Sequence, residues 1–128
     1  MRVKLSREKT MKGILIAAML CFTFAKNAQA GTFYMGNDLV ETMREYEKAE
    51  RGAPRTDFVK AGYFRGYVLG VNDVFSGYVF CTPDSATISQ VSAIVAKYVN
   101  THPERWTVGA SVLVTDALKE AFPCPKKK

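Results

Sequence analysis

The sequence predicts an all-α fold, a small helical bundle of about four helices with one disulfide. Three observations predict it. Apolar residues recur at the three-to-four spacing of a helix in four separate segments, and no run of strict alternation outweighs them. Glycine or proline falls between those segments, at Gly52-Ala53-Pro54, Pro83, Pro103 and Pro123, where it ends or redirects a helix. Removal of a leader then leaves two cysteines, Cys81 and Cys124, to pair with each other.

That leader comes first. Residues 1–30 open with basic side chains, continue through an apolar run from Ile14 to Ala25 and end on Ala28-Gln29-Ala30, the three parts of a secretory signal peptide. The run is too short to span about 30 Å of hydrocarbon, which takes roughly 20 residues. Cleavage before Gly31 is expected, with Met11-Lys12 a second possible start. A lipid on Cys21 is disfavoured, because Met19-Leu20 precedes it where an attachment site wants a small residue. The formal net charge of +6 also belongs to the leader: residues 1–30 carry six basic side chains against one acidic, and the remainder twelve against eleven. Nucleic-acid binding is therefore not expected, nor any hold on the membrane after cleavage.

The mature chain is read as one domain, residues 31–128. Asn37 is a good N-cap for LVETMREYEKAE, with Leu39, Val40, Met43 and Tyr46 on one face, and the helix ends near Arg51-Gly52. Thr56 or Asp57 caps the central helix, which runs toward Tyr78. Its apolar arc holds Tyr63, Phe64, Tyr67, Val68, Val71, Val74, Phe75 and Tyr78, with Gly62, Gly66 and Gly70 along the edge. Each glycine costs about 1 kcal/mol against alanine in a helix. Such a stripe is expected to let another backbone pack closely, within one core or across a subunit interface. Arg65, Asn72 and Asp73 argue against a membrane face.

The loop FCTPDSAT follows, held by Cys81 and stiffened by Pro83. Thr87 and Gln90 have the spacing of a capping box and open a third helix to about Asn100, with Ile88, Val91, Val95, Tyr98 and Val99 inward. His102 to Trp106 is a connector. The fourth helix runs from about Val108 to Phe122, burying Ala110, Leu113, Val114, Ala117, Leu118 and Ala121, and Pro123 stops it. Closing the long loop between Cys81 and Cys124 contributes roughly 4 kcal/mol on the chain-entropy account. Metal or redox use of the two thiols lacks a CxxC spacing and neighbouring ligands.

Chemistry is hard to find. His102 is the sole histidine, and its place at a helix exit suits hydrogen bonding to the preceding carbonyls. The sequence lacks HExxH, GxSxG, a phosphate loop and an acidic calcium loop, so no catalytic, metal or cofactor site is expected. Asp57 and Asp73 lie about 24 Å apart along a helix, too far to act as a pair. Arg51, Arg55 and Arg65 are interleaved with Glu45, Glu47, Glu50 and Asp57, a mixed and solvated surface. The chain reads as a binder.

The residues also carry a resemblance. GYVLGVNDVF, FCTPDSATISQVSAIVAKYVNTHPERW and LVTDALKEAFPC, with Gly36-Asn37-Asp38-Leu39 upstream, resemble the Rap/Tai family of periplasmic immunity proteins associated with type VI secretion. The resemblance implies an all-helical, often dimeric protein of the periplasm that binds and sterically blocks a peptidoglycan amidase effector. The family pattern has cysteines where this chain has Met43 and Phe64, and an apolar contact between these two is expected in their place. The effector-contact candidates are Thr82, Pro83, Asp84 and Ser85, rigidified by the bridge and the proline, then His102 and Trp106, with Trp106 either an interface anchor or a lid on the bundle. The reading set against immunity is a periplasmic structural or envelope-stress protein with no toxin partner.

Overall fold

The structure, a computed structural model, describes residues 31–126, so the expected signal peptide, Met11 and Cys21 lie outside the described residues. Four α-helices follow in order: α1 (Gly36–Glu50), α2 (Phe58–Phe75), α3 (Ile88–Thr101) and α4 (Ala110–Ala121), with a 3₁₀ turn at Pro103–Arg105 before α4. Among the described residues there is no strand, only isolated bridges at Met35–Gly109 and Ser76–Phe80. α1 packs chiefly on α2, and α3 on α4.

Local chemistry sets the helix ends. α1 starts at Gly36, one residue before the expected cap, because Gly36 is pressed against the 106–108 turn: its N–H donates to the Val108 carbonyl at 2.7 Å. A side chain there would lie 2.5 Å from the Trp106 carbonyl oxygen, so no other residue fits. Asp38, in the first turn, accepts the Met35 N–H at 2.9 Å. Gly52 ends α1 in the left-handed region, φ 62°, as its position past the last apolar residue predicts. Asp57 caps α2, its Oδ1 accepting from the Val59 and Lys60 N–H groups. Thr87 and Gln90 form the predicted reciprocal box at α3.

The core is built from Leu39, Val40, Met43 and Tyr46 of α1, Phe64 and Val68 of α2, Val91, Val95 and Val99 of α3, and Leu113, Val114 and Leu118 of α4. Met43 and Phe64 are both fully buried in this one cluster, and the Phe64 ring lies 5.0 Å from that of Tyr46. Phe80, expected only as loop, is also fully buried. The chain reaches it by ending α2 at Phe75 and turning through Gly77 at φ 85°, whose N–H donates to the Phe80 carbonyl. Cys81 and Cys124 form the disulfide.

Three expectations about packing are corrected. Gly62, Gly66 and Gly70 do not let another helix of this chain approach: a methyl group added at any of them meets nothing within 4 Å. The reason is rotational, since at 100° per residue the glycines lie roughly opposite Ala61, Phe64, Val68 and Val71, the residues of α2 that enter the core. The apolar arc of α2 is wider than the core covering it, which leaves Tyr63 56%, Val74 64% and Tyr78 88% exposed. Ile88 and Ala121, the first residue of α3 and the last of α4, are exposed for the simpler reason that a helix end has fewer neighbours around it than a helix middle.

Candidate functional site

The expected contact residues bracket α3. Thr82 to Ser85 lead into it and His102 to Trp106 leave it, so a helix of 14 residues, about 21 Å long, separates the two groups. They are not adjacent, yet a surface depression connects part of each. A trough of about 390 Å³ is lined by Pro83, Ser85, Ala86, Gln90, Ala93, Ile94 and Phe122. A hollow of about 240 Å³ continues along the α3–α4 seam, lined by Ile94, Lys97, Tyr98, Thr101, His102, Ala117, Glu120 and Ala121. Ile94 belongs to both, so Pro83 and Ser85 stand at one end of a single seam and His102 at the other.

A further hollow of about 480 Å³ lies against α1, lined by Tyr46, Glu47, Glu50, Arg51, Ala93, Ala96, Lys97, Asn100 and Thr101. Ala93 and Lys97 therefore form a low ridge with depressions on both flanks.

The loop end of the seam is rigid for identifiable reasons. The Cys81–Cys124 bridge ties the loop to the tail, and the Cys81 N–H donates to the Phe122 carbonyl at 2.8 Å. The Ala86 N–H donates to the Pro83 carbonyl, closing the turn. Thr82 points away from the seam: its Oγ1 donates to Asn72 Oδ1 at 2.7 Å, and its N–H to Ser76 Oγ at 3.2 Å. Asp84 is exposed between the two sides. A rigid loop loses little freedom when a partner binds.

The other end is held by charge. Arg105 donates to the Tyr98 hydroxyl at 2.5 Å and to Asp116 Oδ2 at 2.7 Å, which ties the connector to both α3 and α4. The Asp116 carboxylate, through that hydrogen bond, keeps the Arg105 guanidinium above its ordinary value. His102 stacks on Tyr98 with ring centroids 4.1 Å apart, and its Nδ1 lies 2.8 Å from the Tyr98 carbonyl. Trp106 is half-buried at the end of the bundle. Its Nε1–H donates to the Val99 carbonyl at 2.9 Å, and the Arg44 guanidinium lies 5.7 Å over its ring. The tryptophan thus sits as a lid away from the seam.

Chemically, the seam offers shape and dispersion. Its loop end carries no charged lining residue, and Lys97 and Glu120 supply opposite charges at the far end. Both cysteines of the described chain are consumed by the bridge. No group of three or more His, Cys, Asp or Glu among the described residues is placed to hold a metal. No helix among them is long and apolar enough to cross a membrane.

Sequence reading missed Gln90, Ala93, Ile94 and Phe122. The available signal was the small, exposed Ala93 at an outward position of α3, where the helix surface is low.

No curated protein matches the chain. Residues 35–124 match the family described as Rap1a immunity proteins, a stretch that runs from the residue before α1 to the second half of the disulfide. It takes in all four described helices, the clasped loop and the whole seam, and the chain belongs to the Rap1a immunity protein family.

Proposed function

We propose that the exported chain is a periplasmic immunity protein that binds a peptidoglycan amidase delivered by type VI secretion and blocks it sterically. The observation that carries this reading is the coincidence of the family match over residues 35–124 with a rigid, uncharged trough beside the disulfide loop. Blocking needs no reactive group. A surface that covers the effector's groove suffices, and preorganisation of the loop by its bridge favours tight association. Cleavage before Gly31 would release the chain into the compartment where the bridge forms.

The test is periplasmic co-expression of the full chain with a panel of amidases, scored for lysis. Rescue is expected with one of them, and Ala93→Arg should abolish rescue without lowering the melting temperature, since Ala93 is exposed and arginine is a good helix former. Rescue by neither protein against any amidase would favour the envelope-protein reading.

A homodimer is assigned, in the same proposal, to the outward side of α2. Val59, Tyr63 and Val74 flank the glycines there and are all more than half exposed. Sedimentation equilibrium of wild type and Gly66→Arg tests it, the variant being expected to stay monomeric.

A further inference from the structure

A second, smaller cavity lies between α2, α3 and the clasped loop. Its volume is about 60 Å³, room for about four water-sized groups. Val68, Leu69, Ile88 and Val91 give it apolar walls, and Asn72 and Thr82 stand at its polar side. Ser92 lines it as well. The Ser92 Oγ is fully buried and has no hydrogen-bond partner among the described residues. That is unusual, because a serine within a helix commonly satisfies itself on the carbonyl four residues earlier, and buried polar atoms are seldom left unpaired.

We infer that this cavity is a socket for one short, uncharged, hydroxyl-tipped side chain of the bound effector, threonine in size. Three observations select that chemistry. None of the eight lining residues is charged, so an ionised group would lose its hydration without compensation. A purely hydrocarbon tip would leave the Ser92 hydroxyl as unsatisfied as before. A hydroxyl on a two-carbon stem is small enough for the volume, pairs with Ser92 and leaves the Thr82–Asn72 hydrogen bond in place. Ser92 is shut off from solvent in the free chain, and the entering group reaches it by displacing Ile88, which is 45% exposed and lines the same cavity.

The position supports an effector as the source. Ala86 lines both this cavity and the trough, so a partner seated against Pro83 and Ser85 lies one residue away from the socket. The identity of the partner rests on the immunity reading; the chemistry of the cavity does not.

Two measurements separate them. Protein expressed as the full chain and purified from the periplasm is titrated with propan-2-ol, followed by amide chemical shifts, with acetate and methylammonium as charged controls. Saturable shifts at Leu69, Asn72, Thr82 and Ser92 are expected for the alcohol alone. They should weaken about tenfold in Ser92→Ala, whose melting temperature stays at or above wild type. Linear shifts, shifts spread over the surface, or shifts unchanged in Ser92→Ala would overturn the socket. The second measurement takes the amidase against which wild type rescues and compares its affinity for wild type, Ser92→Ala and Ile88→Trp. Losses of tenfold or more support the assignment. Unchanged affinity in both variants would refute the socket as an effector contact and leave the immunity reading standing; capture of no amidase by wild type, with saturable alcohol binding, would refute the immunity reading and the effector as source.

Discussion

Glu45, in the third turn of α1, accepts a hydrogen bond at 2.9 Å from the backbone N–H of Asp57, the residue whose own carboxylate caps α2. Its other oxygen takes the Lys48 ammonium at 2.6 Å. One side chain therefore ties the end of one helix to the beginning of the next across the Gly52–Arg55 turn.

The Lys48 hydrogen bond, then the Asp57 N–H, hold the Glu45 carboxyl below its ordinary value of 4.5. The folded state thus favours the ionised form. The sign follows: the stabilisation is complete above the ordinary carboxylate value and is lost as pH falls below it. Melting temperature measured from pH 7 down to 3 should drop more steeply below about 4.5 in wild type than in Glu45→Gln, which should be less stable at pH 7 and converge with wild type in acid.

Phe64 is, with Phe80, among the largest fully buried side chains of the described residues, and its ring lies 5.0 Å from that of Tyr46. Phe64→Ala should cost about 3–5 kcal/mol, read as a lower denaturant midpoint with the slope retained. Met43→Ala, in the same cluster, should cost about 2–5 kcal/mol. Coupling between the two, measured by a double-mutant cycle, is the check on their expected contact.

Glycine in the middle of an exposed helix face is destabilising for the single chain. Gly66→Ala should raise the stability of the monomer by about 0.5–1 kcal/mol, because the added methyl group meets open space. In the proposed dimer the same methyl lies on the face assigned to the partner and should weaken association. Gly36→Ala should do the reverse to the monomer, costing about 1–3 kcal/mol, since the methyl would strike the Trp106 backbone.

Replacing Cys81 and Cys124 together by alanine should cost about 2–4 kcal/mol in thermal or chemical unfolding. Rescue from lysis should then fail at elevated temperature before it fails at low temperature.

Much of this architecture is legible in the sequence. The Thr87–Gln90 box, the Gly52 stop, a cap at Thr56 or Asp57 and the pairing of Cys81 with Cys124 are local rules, complete within a few residues or fixed by arithmetic on the cysteines after residue 30. What stayed hidden depends on how elements face each other. Periodicity placed Tyr63, Val74 and Tyr78 with Phe64 and Val68 because all are apolar, but only the width of the covering helices decides which of them are enclosed. Phe80 read as loop because its burial follows from the turn at Gly77. The seam was invisible for the same reason: Ile94 and Phe122 become neighbours only when α3 and α4 dock.

The bond from the Cys81 N–H to the Phe122 carbonyl, beside the disulfide, gives the trough one of its walls from the segment that follows α4. That wall is held to the loop by this hydrogen bond and by a covalent bridge that forms only under oxidising conditions. On the proposed reading, a chain still inside the cytoplasm has an unfinished binding face, so protection begins after export, in the place where the toxin arrives.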